Sequence, residues 1–253
     1  MIFQQIRNAT IKIQYPSITF MIDPWLSDPC SNEEKEAALK EKRFITKPIV
    51  PLPYPVKDIL SDVDVCIVSH DHEDHFSADY LPKDMHMIFQ NQKDNQLGKS
   101  LGFTNTEYFE KDRIEIEDIK IYRTDGRHGD TDELAKKVGP VSGFVFVKEG
   151  EKTIWVAGDT VYCDIVEKVI DTYHPDIIIV NACDAHTRSG RLIMNAEDVI
   201  KTCKYAPDSI VVASHMDTVS HAHLTRKELQ DHLIKTPYEK QVLIPLDGEK
   251  ISF

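Results

Sequence analysis

The stretch Ser69-His70-Asp71-His72-Glu73-Asp74-His75 follows directly on the largely apolar run from Val63 to Val68. From His70 to His75 it holds three imidazoles and three carboxylates, and each of these side chains can ligate a divalent metal. A strand that ends in such a loop gives the ligands a rigid platform, and the loop turns them toward a common point. The remainder of the chain must then supply the ligands that this loop lacks.

A chain of 253 residues can bury a substantial core, and layered α/β folds of this length are often one domain, so a single domain spanning 1–253 is expected. The chain is 41% hydrophobic and 28% charged, which is ordinary for a globular protein and excludes extensive disorder. A formal net charge of -12 and the lack of any Lys/Arg run argue against a nucleic-acid partner, because that affinity depends on cations neutralising phosphates. Cys30, Cys66, Cys163, Cys183 and Cys203 are odd in number and form no CxxC pair, so they read as reduced thiols, most of them small buried hydrophobes. The start lacks a basic segment followed by an apolar core, and no apolar run reaches membrane-spanning length. A cytoplasmic protein without a membrane partner is the expectation.

Short β-type runs at Phe3–Ile6, Thr10–Gln14 and Ile18–Asp23 read as a meander that ends at Asp23-Pro24-Trp25. A charged helix is expected from Asn32 to Arg43 as a surface insertion, followed by an extended segment over 44–57 in which Pro48, Pro51, Pro53 and Pro55 crowd together and could wall a cleft. Beyond the histidine-rich loop come a strand at His86–Phe89, a helix over Gln92–Leu101, and β runs at Arg113–Ile116 and Ile119–Thr124. A hairpin follows from Val141 to Ala157 around Glu149-Gly150. The second half then alternates: helix Asp164–Tyr173, strand Asp176–Val180, helix Asn195–Lys204, strand Ser209–Ala213, helix Thr225–Ile234 and strand Gln241–Ile244. Thr225 with Glu228 forms a capping box for the last helix.

One pattern recurs along this order: an apolar strand, then a loop bearing His or Asp. The loops carry His70, His72, Asp74 and His75; then His128; then Asp159; then His215. Ligands gather at one end of the sheet in layered α/β folds, so these loops can converge. That many ligands suit two divalent ions better than one. His70 and His72 have β spacing and can face the same way, whereas Asp74 and His75 lie past a tight turn and can address a second ion. Asp159 suits a bridge because a carboxylate offers two oxygens. Any one of these histidines alone is more often an ordinary surface or core residue; the joint pattern reverses that weighting.

These residues resemble the metallo-β-lactamase fold hydrolases. His-Asp-His-Glu-Asp-His at 70–75 is similar to the family's HxHxDH motif, His128, Gly158-Asp159 and His215 are similar to its later motifs, and Asp23 in Ile22-Asp23-Pro24-Trp25 is similar to its first. The resemblance implies a four-layer αββα sandwich of the α/β class and two divalent ions, zinc first, with manganese or iron also compatible with a nitrogen and carboxylate donor set. It places one ion on His70, His72 and His128 and the other on Asp74, His75 and His215, with Asp159 between them. Asp74 is also implied to orient a hydroxide made by the two ions. Ile6-Arg7-Asn8-Ala9-Thr10 and Val68-Ser69-His70 resemble most the branch that contains ascorbate-6-phosphate lactonases. A homo-oligomer is compatible with the resemblance.

Around this set, Asp23 is expected to support a ligand histidine. Asn181, Asp184 and His186 follow the strand at Asp176–Val180 and can line the cleft, with loop capping an equal alternative. One of His221 and His223 is expected to line the pocket or cap the last helix. Arg127, Arg188 and Arg191 are candidates for holding an anionic group, although surface charge is the better reading for two of them. The expected function is metal-dependent hydrolysis of a small molecule, anionic in one version, such as a lactone or another ester or amide. Alternatives are a phosphodiesterase on the same site and a non-hydrolytic metal-binding protein.

Overall fold

The computed structural model describes residues 1–41 and 43–253. In chain order its strands are β1 (Ile2–Arg7), β2 (Thr10–Gln14), β3 (Thr19–Ile22), β4 (Val65–Val68), β5 (His86–Phe89), β6 (Thr106–Tyr108), β7 (Arg113–Ile116), β8 (Ile119–Asp125), β9 (Ser142–Val147), β10 (Ile154–Val156), β11 (Ile177–Asn181), β12 (His186–Thr187), β13 (Gly190–Arg191), β14 (Ile210–Ser214), β15 (Val242–Leu243) and β16 (Lys250–Ser252). Its helices are α1 (Asn32–Glu41), α2 (Val56–Leu60), α3 (Gln92–Ser100), α4 (Asp132–Val138), α5 (Asp164–Tyr173), α6 (Ala196–Tyr205) and α7 (Arg226–Leu233).

Two large sheets result, ordered β16-β1-β2-β3-β4-β5-β6 and β15-β14-β11-β10-β9-β8-β7. Each is antiparallel on one side and parallel on the other: pairing turns parallel from β3 to β6 in the first sheet and from β10 to β15 in the second. Parallel neighbours need crossovers, and α5, α6 and α7 supply them in the second half.

Side-chain alternation along the strands explains the layering. In β4, Val65 and Ile67 enter the core between the sheets, whereas Cys66 and Val68 enter the core shared with Ile59 of α2. In β11, Ile177 and Ile179 face the first sheet, and Ile178 and Val180 pack with Val166, Val199 and Leu229 of the crossover helices. Strands buried on both faces read as continuous apolar runs, which is why these segments were legible as strands. The outcome is helix, sheet, sheet, helix: the four-layer α/β architecture. Gly98 lets α3 lie close on β5, because a Cβ there would meet the Phe89 ring at 2.4 Å.

Most expected elements form within a residue or two of their sequence bounds, and the Thr225–Glu228 capping box is present. The differences have physical causes. Helix α1 ends at Glu41, so Arg43 lies beyond it, and Lys42 falls outside the described residues. Helix α4 was not expected, although Thr131 caps it by accepting from Leu134 N and Gly139 ends it at φ 106. The β12–β13 hairpin and β16 are short, and β16 gains its place only by pairing with β1 from the other end of the chain. The proline segment corrects the expectation in part: Phe44, Ile45 and Thr46 line a cavity with Asp74, but Pro51, Pro53 and Pro55 line a separate cleft beside Ser27 and Asp28. Buried Arg7 anchors that region by donating to the carbonyls of Trp25, Ser27 and Val50.

Candidate metal centre

The strand ends deliver their side chains to one place. His70 follows β4, Asp23 follows β3, His128 follows β8, Asp159 follows β10 and His215 follows β14, all at carboxyl ends. Three groups of donor atoms lie within 4.8 Å of one another: His70, His72 and His128; His70, His75 and Asp159; and Asp74, His75 and His215. His70, His75, His128, Asp159 and His215 are buried, whereas His72 and Asp74 are half-buried.

Local backbone strain marks the same region. Asn8, Asp23, Asp184 and His215 all have positive φ, at 55°, 49°, 51° and 63°, a conformation that costs energy for non-glycine residues and persists only where the surroundings fix it. Gly158 precedes Asp159 at φ 68°, and a Cβ there would lie 2.5 Å from Ser142 O. Only glycine lets β10 turn at this point.

Hydrogen-bond partners fix the imidazole tautomers. His128 Nδ1 lies 3.1 Å from Leu192 O, which can only accept, so Nδ1 carries the proton. His75 Nδ1 donates to Asp23 Oδ2 at 2.8 Å. Ser69 Oγ gives its proton to Asp23 Oδ2 at 2.7 Å and therefore accepts from His70 Nδ1 at 2.9 Å. Asn8 Nδ2 donates to Asp74 O at 3.0 Å and to His215 Nε2 at 3.2 Å. His215 therefore has its proton on Nδ1, facing Cys183 Sγ at 3.5 Å.

All four rings then direct an Nε2 lone pair into one space. The Nε2 atoms of His75 and His215 stand 3.3 Å apart, and His72 turns Nδ1 to 2.9 Å from His70 Nε2. Asp159 Oδ2 lies among them, 3.2 Å from His75 Nε2 and 3.6 Å from His128 Nε2. Its Oδ1 accepts from Asn181 Nδ2 at 2.6 Å. Oδ2 is thus near histidines of both outer groups, while Oδ1 lies 4.0 Å from His215 Nε2.

Protonation follows the same geometry. Burial alone would push His75 down, but Asp159, Asp23 and Asp74 raise it to about 10. His215 is likewise raised well above the ordinary imidazole value, against burial, by Cys183, Asp159 and Asp74. Burial and the neighbouring His75 hold His70 well below that value, and burial lowers His128. Asp74 and Asp159 resist burial and stay well below the carboxylate range because His75 and His215 face them. The donor set calls for positive charge at its centre, and converging imidazole lone pairs with carboxylates are what a divalent cation takes.

The outer candidates separate. Asp23 holds Ser69 N, Ser69 Oγ and His75 Nδ1, and Asn181 holds Asp159. Asp184 accepts from His186 Nε2 at 3.1 Å, and His186 stacks on His223, which is exposed, with centroids 4.4 Å apart. His221 lines a cavity of about 190 Å³ with Asp74, Glu73 and His186. Neither His221 nor His223 caps the last helix; Thr225 does. Arg127 pairs with Asp132 at 2.9 Å and Arg191 with Asp198 at 2.5 Å, while Arg188 lines a larger cavity of about 620 Å³ that reaches His72. Asn8 was missed as a site residue, since only the approach of the β1–β2 turn to the end of β14 brings it to His215.

The family description "Beta-lactamase superfamily domain" matches residues 19–216. The UPF0173 protein YddR of Bacillus subtilis (strain 168) is 38% identical over 253 residues, covering 98% of each chain. Among solved structures, the isothiocyanate hydrolase from Delia radicum gut bacteria is 36% identical with a TM-score of 0.88, covering 100% of this chain and 99% of its own. A possible metal-dependent hydrolase from Veillonella parvula DSM 2008 is 30% identical with a TM-score of 0.90 over the same shares. By its domain and its full-length relatives, the chain belongs to the beta-lactamase superfamily, among the UPF0173 metal-dependent hydrolases.

Proposed function

We propose that residues 1–253 form one dinuclear hydrolase domain that attacks a small molecule at an electrophilic carbon. His70, His72 and His128 would hold one divalent ion, Asp74, His75 and His215 a second, and Asp159 would serve both. The carrying observation is the convergence of four Nε2 lone pairs, each fixed by a partner on Nδ1, around the Asp159 carboxylate: those of His75, His128 and His70 lie 3.2, 3.6 and 4.0 Å from Oδ2, and that of His215 lies 4.0 Å from Oδ1. Zinc suits these donors first, and manganese or iron also fits. When bound, such ions would supply an activated water near neutral pH and polarise the electrophile. The chain's own part is orientation: Asp23 and Ser69 hold His75 and His70, Leu192 O holds His128, Cys183 and Asn8 hold His215, and Asn181 turns Asp159. Five unpaired cysteines suit a cytoplasmic setting.

Two observations support a substrate class: the larger cavity, and the isothiocyanate hydrolase that matches end to end. Phe44, Leu134, Val138 and Leu192 form an apolar wall leading to His72. Arg43, which pairs with Glu41 at 2.6 Å, Lys137 and Arg188 rim it, and among the described residues no carboxylate lines it, although the chain carries a net charge of -12. An isothiocyanate with an alkyl or aryl body is the first substrate reading; a lactone, ester or amide, as in the lactonase-like branch, is the next. The basic rim favours an anionic group on the substrate and keeps a phosphodiester as the alternative after these. Metal analysis with a panel of isothiocyanates, lactones and phosphodiesters, on wild type and His70→Ala, tests this. Joint loss of about one metal equivalent and of activity supports the assignment; unchanged metal content in His70→Ala sinks it.

A further inference from the structure

Hydrolysis at an electrophilic carbon needs a proton donor as well as a nucleophile, because the atom that receives the displaced electron pair must be protonated. Around the smaller cavity the ionisable groups are Glu73, Asp74, His186 and His221. Asp74 belongs to the ligand set, and its carboxyl stays ionised beside His75 and His215. Glu73 is exposed on the loop. His221 has no carboxylate partner among the described residues; burial lowers it, and its ring packs on Phe44 with centroids 5.4 Å apart.

His186 differs. Its Nε2 lies 3.1 Å from Asp184 Oδ1, its ring stacks on His223 at 20°, and its backbone N–H donates to His221 O at 3.1 Å. Asp184 is itself fixed, with φ 51° and its N–H donating to Met194 O at 3.0 Å. A carboxylate on Nε2 orients the ring and leaves Nδ1 without a hydrogen bond among the described residues. The β12–β13 hairpin presents this imidazole to the cavity that also holds Asp74. Phe44 and Thr187 line both cavities, so the proton source and the apolar wall share a partition.

We propose that His186 is the catalytic acid of the hydrolase and that Asp184 is its positioning residue, an inference that rests on the hydrolytic reading above. For an isothiocyanate, the attacking hydroxide forms the new C–O bond, the C=N π pair moves to nitrogen, and nitrogen takes the proton from His186 Nδ1. The hydroxyl proton of the resulting thiocarbamic acid returns to Nδ1 and leaves a thiocarbamate anion. Uptake of one further proton from water releases amine and carbonyl sulfide. An ester or lactone makes the same demand at its leaving oxygen. The groups facing His186 are Asp184, His223, His221, Glu73 and Asp74, with Arg191 Nε 4.0 Å from Asp184 opposing the carboxylate.

The test uses full-length wild type, His186→Gln and Asp184→Asn, each loaded with metal and assayed for metal content. The substrates are isothiocyanates whose product amines run from nitroanilines to alkylamines. Expected is unchanged metal content, a loss of about 100-fold or more for His186→Gln on alkyl substrates, and a much smaller loss on nitroaryl ones. Asp184→Asn should lose less, in kcat and not in KM, with the same gap between alkyl and nitroaryl substrates. By NMR, the Nε2–H proton of His186 should give a downfield, hydrogen-bonded resonance in wild type that is lost in Asp184→Asn. Full metal content with activity unchanged, or reduced equally across the series, overturns the proposal. If wild type with full metal hydrolyses none of the panel, the hydrolytic reading fails separately, and a His186 Nε2–H resonance indifferent to Asp184→Asn then removes the dyad as well.

Discussion

The Nε2 atoms of His75 and His215 face each other at 3.3 Å, although each ring already has its proton on Nδ1, toward Asp23 and Cys183 respectively. Two lone pairs at that distance repel unless a cation sits with them. Asp74 Oδ2 at 3.2 Å from His215 and Asp159 Oδ2 at 3.2 Å from His75 add negative charge to the same space. Either extra protons or a metal must neutralise the cluster, and of the two only the protons are lost as pH rises.

Metal-free protein should therefore lose stability as pH rises above neutrality. His75 is raised from 6.5 to about 10, so its contribution is complete below about 6.5 and disappears as pH climbs through about 10. The depressed Asp74 and Asp159 act in the other window: their contribution is present above the ordinary carboxylate value and is lost as pH falls through their lowered values. Calorimetry after chelation should show Tm falling between pH 7 and 10, by roughly 2–4 °C for each kcal/mol lost. With metal bound, the ion replaces the protons, so Tm should hold over that range. A chelated protein whose Tm is flat there would show that His75 carries no such proton.

Asp23 is the second pressure point. It accepts from Ser69 N at 2.7 Å, Ser69 Oγ at 2.7 Å and His75 Nδ1 at 2.8 Å, all buried. Asp23→Asn keeps the size but puts an amide N–H₂ where one acceptor oxygen was, so His75 loses the partner that fixes its tautomer. Metal affinity should fall by about 10–100-fold, read by competition with a chromogenic chelator, with the fold retained by circular dichroism. Unchanged affinity would mean that Asp23 serves only the backbone turn.

Much of this was legible in the sequence because the informative residues sit at strand ends, where an apolar run stops and a polar side chain begins. Val65-Cys66-Ile67-Val68 followed by Ser69-His70 is such a junction, and Val212-Ala213-Ser214-His215 is another. What stayed hidden depends on contacts distant in sequence. Asn8 reaches His215 only after the two sheets stack, Cys183 looks like any small buried residue until His215 Nδ1 turns to it, and β16 exists by virtue of β1. Helix α4 is a different case: Thr131, the acidic Asp132-Glu133, Lys136-Lys137 and Gly139 spell a capped helix, but its seven residues are too few for a clear apolar period.

Gly158→Ala should damage the centre without removing any ligand. At φ 68° a Cβ is disfavoured, and here it would lie 2.5 Å from the Ser142 carbonyl oxygen, a backbone atom that cannot swing aside. The cost is about 1–3 kcal/mol of strain, and relief by moving the turn would carry Asp159 away from His75 and His128. Expected are a lower denaturant midpoint and weaker metal binding together. Loss of stability with full metal content would uncouple the turn from the placement of Asp159.

Arg188 tests the substrate side. It stands on the tip between β12 and β13, lines the larger cavity with Leu134 and Val138, and makes no ion pair among the described residues, unlike Arg127 and Arg191. If it receives an anionic group, Arg188→Gln should raise KM for a carboxylate-bearing substrate by about tenfold and leave kcat nearly unchanged, because the lost contact exists equally in ground and transition states. A neutral analogue should be affected by less than about twofold. Since the side chain is exposed, the gap between the two substrates should also shrink as ionic strength rises in wild type. Equal effects on charged and neutral substrates would instead make Arg188 part of the apolar wall, contributing its methylene stem and not its charge.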